Sequence, residues 1–145
     1  MSLIKDTVKK LTLKYHSTCP FEISESKGIM VSFADLGKTH GFYFHDSRIK
    51  FININQNLTE EQQKIVCAHE LGHAVLHKDI NTPFMRANTL FSINKIEREA
   101  NRFAAELLIP DQSIAETNNI YELASLHGVP VELVKLKLFC KEDLF

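Results

Sequence analysis

Thr59-Glu60-Glu61-Gln62-Gln63-Lys64-Ile65-Val66-Cys67-Ala68-His69-Glu70-Leu71-Gly72-His73-Ala74-Val75-Leu76-His77 is the stretch on which the reading of this chain turns. It opens as a helix should, with Thr59 as N-cap and Gln62 placed to reach back to it, the reciprocal pair of a capping box. A helix from about residue 60 to His77 follows. Ile65, Val66, Ala68, Leu71, Ala74, Val75 and Leu76 make it apolar nearly all round, which is the pattern of a buried helix. Three polar residues inside it, His69, Glu70 and His73, then need partners. Gly72 costs about 1 kcal/mol relative to alanine in mid-helix, so close packing, expected against a strand, is its natural explanation.

His69 and His73 are four residues apart and lie one turn apart on one face. Two imidazoles so placed can ligate one zinc ion at about 2.0–2.1 Å. Glu70 sits about 100° further round the helix, where it can lean over a metal-bound water without taking a ligand position. The bland alternative is two buried histidines and a surface glutamate, because so short a pattern recurs by chance. The apolar flanks favour the metal.

A catalytic zinc needs a third protein ligand and an open position. His77 continues the row, but along a straight helix it stands about 12 Å from His69, so it cannot share the ion. It is expected to support a ligand or to pack. A second helix, from about Ile93 to Leu108 and stopped by Pro110, offers Glu97 and Glu99. Two positions apart, they are separated by about 200° of rotation, so only one faces the site. Glu97 borders the apolar stripe Ile96, Ala100, Phe103, Ala104, Leu107 and Leu108, whereas Glu99 groups with Arg102 and Glu106 on the polar side. Glu97 is the expected ligand. Asn101, one turn on, could fix the tautomer of a zinc-bound histidine, or could simply occupy an exposed helix edge.

Outward from these helices, residues 3–16 carry Leu3, Ile4, Val8, Leu11 and Leu13 among lysines, an amphipathic N-terminal helix. Ile29–Phe33, Gly41–Phe44 and Ile49–Ile54 are rich in aromatic and β-branched residues and read as strands. His45-Asp46-Ser47-Arg48 supplies the turn of an antiparallel hairpin. Lys78 to Thr89, with Pro83, reads as a loop. Asn119–His127 and Pro130–Leu138 are shorter helices separated by Gly128. The expected architecture is α+β, a small antiparallel three-stranded sheet against a helical core. One domain is expected over 1–145, with an N-terminal helix to about residue 20, a core over 28–110 and C-terminal helices over 111–145.

At 145 residues, with 44% hydrophobic and 24% charged positions, the chain has the mix of an ordinary globular protein. A formal net charge of -1 gives no general attraction to nucleic acid or anionic membrane. Lys5 and Asp6 fall where a signal peptide needs an apolar run, and no stretch approaches a membrane span. Cys19, Cys67 and Cys140 are widely spaced and suggest a reducing, cytoplasmic setting. Cys67 points away from the metal face and reads as a small buried thiol.

Ala68-His69-Glu70-Leu71-Gly72-His73-Ala74-Val75-Leu76-His77, followed by Glu97-Arg98-Glu99-Ala100-Asn101-Arg102-Phe103-Ala104-Ala105-Glu106-Leu107-Leu108-Ile109-Pro110, resembles the ImmA/IrrE family of metallopeptidases. The similarity reaches upstream to Ile52-Asn53-Ile54-Asn55 and covers roughly residues 28–110. HExxH alone is weak; joined to the ExxAN-FAxxLLxP segment it is specific. The resemblance implies a zincin-like fold with a gluzincin-like site, His69, His73 and Glu97 as zinc ligands and Glu70 as catalytic base. It also implies an intracellular protein that cleaves, or provokes cleavage of, a helix-turn-helix repressor of a phage or mobile element.

The expected chemistry is metal-assisted peptide hydrolysis with Glu70 as general base and acid. Zinc is preferred to manganese from ligand type. His40, Tyr43, His45, His77, Arg98 and Tyr121 are candidates to stabilise an oxyanion, and for any one of them an ordinary packed or surface residue is the better reading. Substrate is expected to add as a strand to an exposed edge of the hairpin. Residues 120–134 have the texture of a helix-turn-helix but lack Lys or Arg before Lys135, which favours packing or repressor docking over direct DNA binding. The rival from another class is a non-proteolytic anti-repressor that sequesters its target around a structural metal, a site that normally has four protein ligands.

Overall fold

The computed structural model describes residues 3–77 and 95–139. The expected loop at Lys78–Thr89, the start of the second helix at Ile93, and Cys140 lie outside them. Among the described residues the elements run α1 (Leu3–Tyr15), α2 (Pro20–Ser26), β1 (Ile29–Ala34), β2 (Gly41–Asp46), β3 (Ile49–Asn55), α3 (Glu60–Leu76), α4 (Lys95–Leu108), α5 (Asp111–Glu116), α6 (Ile120–His127) and α7 (Val131–Phe139). The α+β class is as expected. Two short helices, α2 and α5, are additions. Each begins at a proline whose fixed φ and missing N–H suit the start of a helix, Pro20 within α2 and Pro110 as the N-cap of α5.

The sheet is mixed rather than wholly antiparallel. Its order is β1-β3-β2, with β1 parallel to β3 and β2 antiparallel to it. The expected hairpin is present, with Ser47 in a left-handed conformation at its turn. β3 takes the centre because Ile52 and Ile54 are fully buried on its inner face, whereas β1 leaves Met30 and Phe33 exposed. Asn55, at the end of β3, donates through its side-chain amide to the carbonyls of Gly37 and Thr39 at 2.9 and 3.0 Å. Its backbone N–H also bonds the His40 carbonyl at 2.8 Å. One buried asparagine thereby fixes the loop that delivers His40.

α3 begins with the expected capping box between Thr59 and Gln62. It is buried from Val66 to Ala74. Gly72 meets not a strand but α4: a Cβ there would stand 3.1 Å from the Cβ, Cγ and Cδ1 of Phe103. α4 is more deeply buried than its apolar stripe implies. Arg102 and Glu106, expected on a polar face, are 7% exposed each. They pair with each other at 3.1 Å, and Lys137 of α7 bonds the same glutamate. The C-terminal helix covers this face, and its lysine neutralises what it buries. On α1, Ile4, Val8 and Leu11 form the buried stripe while Leu3 and Leu13 face outward.

Candidate metal centre

α3 and α4 bring His69, His73 and Glu97 together, the group among the described residues arranged to hold a metal ion. His69 Nε2 and His73 Nε2 are 3.2 Å apart. Glu97 spans them, with Oε1 3.0 Å from His69 Nε2 and Oε2 3.1 Å from His73 Nε2. Ligand atoms at about 2.0–2.1 Å from a tetrahedral zinc lie about 3.3–3.4 Å from one another. Here the carboxylate meets the two rings through different oxygens, and with one ligand atom taken from each residue the three lie within 4.8 Å of one another. His69 and His73 are 3% and 0% exposed, and Glu70 is 1% exposed.

Hydrogen bonding decides how the donors point. His69 Nδ1 lies 2.7 Å from Asn101 Oδ1, an acceptor, so the proton of a neutral His69 sits on Nδ1. Its Nε2 lone pair is left facing the second imidazole and a carboxylate. Acceptors converging in a buried space need a proton or a metal ion between them. The two imidazoles and one carboxylate therefore fit a zinc ion.

Protons reveal the same demand for positive charge. Burial works against the charged form of His69, but its hydrogen bond to Glu97 and the Glu70 and Glu97 charges outweigh this and raise its pKa. For His73 burial wins over the Glu97 bond, and the pKa falls. Burial opposes ionisation of Glu97, yet the bonds to His69 and His73 prevail and hold its carboxyl down at about 2.

The other candidate residues divide between this site and the rest of the fold. His77 caps the C-terminus of α3 and contacts His73 and Glu99, and it is not part of the group His69, His73 and Glu97. Glu99 does not remain on a polar face with Arg102 and Glu106; it reaches His77 at 2.8 Å. Of the six oxyanion candidates, only His40 lines the same cavity as His69, Glu70 and Asn101. That cavity has a volume of about 670 Å³ and is bounded opposite α3 by the α6–α7 turn, from Ala124 to Val131. Tyr43 is fully buried and stacks on His45 with 6.5 Å between ring centroids. Arg98 is half-buried on α4, and Tyr121 is 70% exposed on α6. Cys67 is buried, and desolvation pushes its thiol up to about 12, as befits an inert core residue.

The cavity's second wall was not foreseen. The texture of residues 120–134 suggests packing or repressor docking, but not that Ala124–Val131 faces the cavity. The single signal was Gly128 between two helical runs, which marks a turn but not where the turn faces.

Residues 24–139 match the model of the IrrE N-terminal-like domain. The chain belongs to the ImmA/IrrE family. The match extends the resemblance through the C-terminal helices, which supply that wall of the cavity. Among relatives of this ImmA/IrrE chain is an uncharacterized immunity region protein 2 of Bacillus phage phi105. It is 45% identical over 141 residues, covering 94% of this chain and 89% of the relative. The metallopeptidase ImmA of Bacillus subtilis (strain 168) is 34% identical over 115 residues, covering 78% and 67% respectively. Family and relative together support a metal-dependent peptidase. No helix among the described residues is long and apolar enough to cross a membrane.

Proposed function

We propose that this chain is a zinc-dependent endopeptidase acting on a helix-turn-helix repressor of a phage or mobile element, with His69, His73 and Glu97 as ligands. The observation that carries the reading is the convergence of these three side chains to 3.0–3.2 Å beside a cavity that Glu70 also lines. Three protein ligands suit a catalytic rather than a structural zinc, which normally takes four. Bound there, zinc supplies Lewis acidity, polarising the scissile carbonyl and acidifying water.

The remaining work falls to side chains of the chain. Glu70 takes a proton from the attacking water and passes it to the amide nitrogen as the C–N bond breaks. His40, whose pKa is lowered by burial, is neutral near pH 7 and can offer an N–H to the carbonyl oxygen. Asn101 orients His69. A peptide would add in extended form to β2, an edge strand that follows His40, a residue of the cavity that Glu70 also lines.

The repressor as substrate is supported by the relative from a phage immunity region. Docking of that partner is assigned to the α6–α7 face that walls the cavity. The test is incubation of zinc-loaded protein with the repressor of its own mobile element, with and without chelator, read by mass spectrometry. Cleavage by wild type is expected, and none by Glu70→Gln protein that still binds zinc. Repressor left intact by the wild type but held in a stoichiometric complex would favour the sequestering anti-repressor instead.

A further inference from the structure

We infer that Glu99 and His77 form a positioning relay that sets the tautomer of His73 and turns its Nε2 lone pair toward the metal. The inference rests on the metal-centre reading. His77 Nε2 lies 2.8 Å from Glu99 Oε1, and His77 Nδ1 lies 3.1 Å from His73 Nδ1. A carboxylate only accepts hydrogen bonds, so the proton of a neutral His77 sits on Nε2 and is donated to Glu99. His77 Nδ1 is then an acceptor. Among the described residues the group facing it at that distance is His73 Nδ1, which must carry a proton and donate it. A neutral imidazole has one N–H, so His73 Nε2 is bare and aims at His69 Nε2 and Glu97.

The backbone explains why a residue so far along the row can do this. α3 ends at Leu76, and His77 leaves the helix with φ -130° and ψ 46°. Its N–H still bonds the His73 carbonyl at 2.8 Å. The ring therefore folds back over His73, with centroids 5.2 Å apart and planes tilted by 51°. The His77 side chain is 9% exposed, so water competes little for either nitrogen.

α4 consequently orients both histidines. Glu97 contacts them directly, Asn101 holds His69, and Glu99 holds His73 through His77. The two glutamates are not alternatives for one position; they act on the same histidine from opposite ring nitrogens. Partners of this kind commonly change metal affinity by about 10–100-fold when removed.

The test uses the full 145-residue chain as wild type, His77→Phe, His77→Gln and Glu99→Leu. Long-range ¹H–¹⁵N correlation of the metal-free proteins reads which nitrogen of His73 carries the proton. Zinc affinity is read by competition with a chromophoric chelator. Wild type should show the Nδ1–H form, and the Phe and Leu variants should shift toward Nε2–H and bind zinc about 10–100-fold more weakly. His77→Gln keeps a carbonyl acceptor and should retain both properties. An unchanged His73 tautomer in His77→Phe and Glu99→Leu would overturn the relay. Absence of zinc binding by wild type would instead sink the metal reading, while the metal-free spectra still decide the tautomer.

Discussion

Asn101 Oδ1 sits 2.7 Å from His69 Nδ1, one helical turn beyond the glutamate that faces the other nitrogen of the same ring. The imidazole is held from both ends by one helix. Asn101→Leu removes the acceptor, frees the ring to adopt either tautomer and leaves a buried N–H without it. Zinc affinity should fall by about 10–100-fold. Asn101→Asp keeps an acceptor oxygen and should bind far more tightly than the Leu variant. Chelator competition measures both, and equal affinities for the two variants would contradict the role given to Asn101.

Gly72 allows α3 and α4 to approach at Phe103, next to His73, a proposed ligand. Alanine there gains about 1 kcal/mol of helix propensity. Its Cβ, 3.1 Å from the Phe103 Cβ, must push the helices apart by a few tenths of an ångström, since that atom cannot swing away. The two effects oppose each other in stability. Only the second bears on the spacing between Glu97 and the histidines. Gly72→Ala should therefore melt within about 1 kcal/mol of wild type by denaturant titration yet bind zinc more weakly. Unchanged zinc affinity would show that the approach at Gly72 does not set the metal geometry.

These two relationships mark what the sequence could and could not disclose. His69, His73 and Glu97 were legible because helical periodicity places them by arithmetic, and their apolar neighbours show which face is buried. The Thr59–Gln62 cap was legible for the same local reason. Partners that depend on how one element meets another were not. The place of β3 between β1 and β2 depends on which strand buries both neighbours' edges, and alternating residues do not specify that. Arg102 and Glu106 look like a solvated face until Lys137, 31 residues beyond Glu106, arrives to cover them. Glu99 was set aside by its angle on an ideal helix. Its contact is made through His77, whose backbone has already left the helix.

The cluster around Lys137 gives a pH dependence with a definite sign. Asp111 accepts a hydrogen bond from Lys137 at 2.6 Å and pairs with Lys5 at 3.1 Å. The Lys137 bond, helped by Lys5 and opposed by partial burial, holds the Asp111 carboxyl below its ordinary 3.8. A depressed carboxylate stabilises the fold above its ordinary value and loses that contribution as pH falls through the depressed one. Asp111→Asn should thus flatten the acid limb of the stability curve below about pH 4 and leave the limb above neutrality unchanged. Denaturant midpoints across pH provide the measurement; parallel curves for the two proteins would refute the linkage. Lys137→Met leaves buried Glu106 with Arg102 alone and should cost about 3 kcal/mol at neutral pH.

Gly128 lines the cavity from the α6–α7 turn and lies outside the group His69, His73 and Glu97. Its φ of +63° lies in the left-handed region, and it ends α6 by donating its N–H to the Ala124 and Ser125 carbonyls. An alanine would meet the left-handed penalty of about 1–2 kcal/mol. Its Cβ would also collide with the Glu61 side chain across the cavity rim. Neither residue belongs to the ligand triangle, which is built on the C-terminal half of α3 and on α4. Gly128→Ala should therefore lower stability by about 1–2 kcal/mol and slow repressor cleavage through a raised KM, with zinc affinity kept. If KM stays at the wild-type value while the mutant remains folded, the α6–α7 turn has no part in holding substrate. A fall in zinc affinity would instead show that the two walls of the cavity are mechanically coupled.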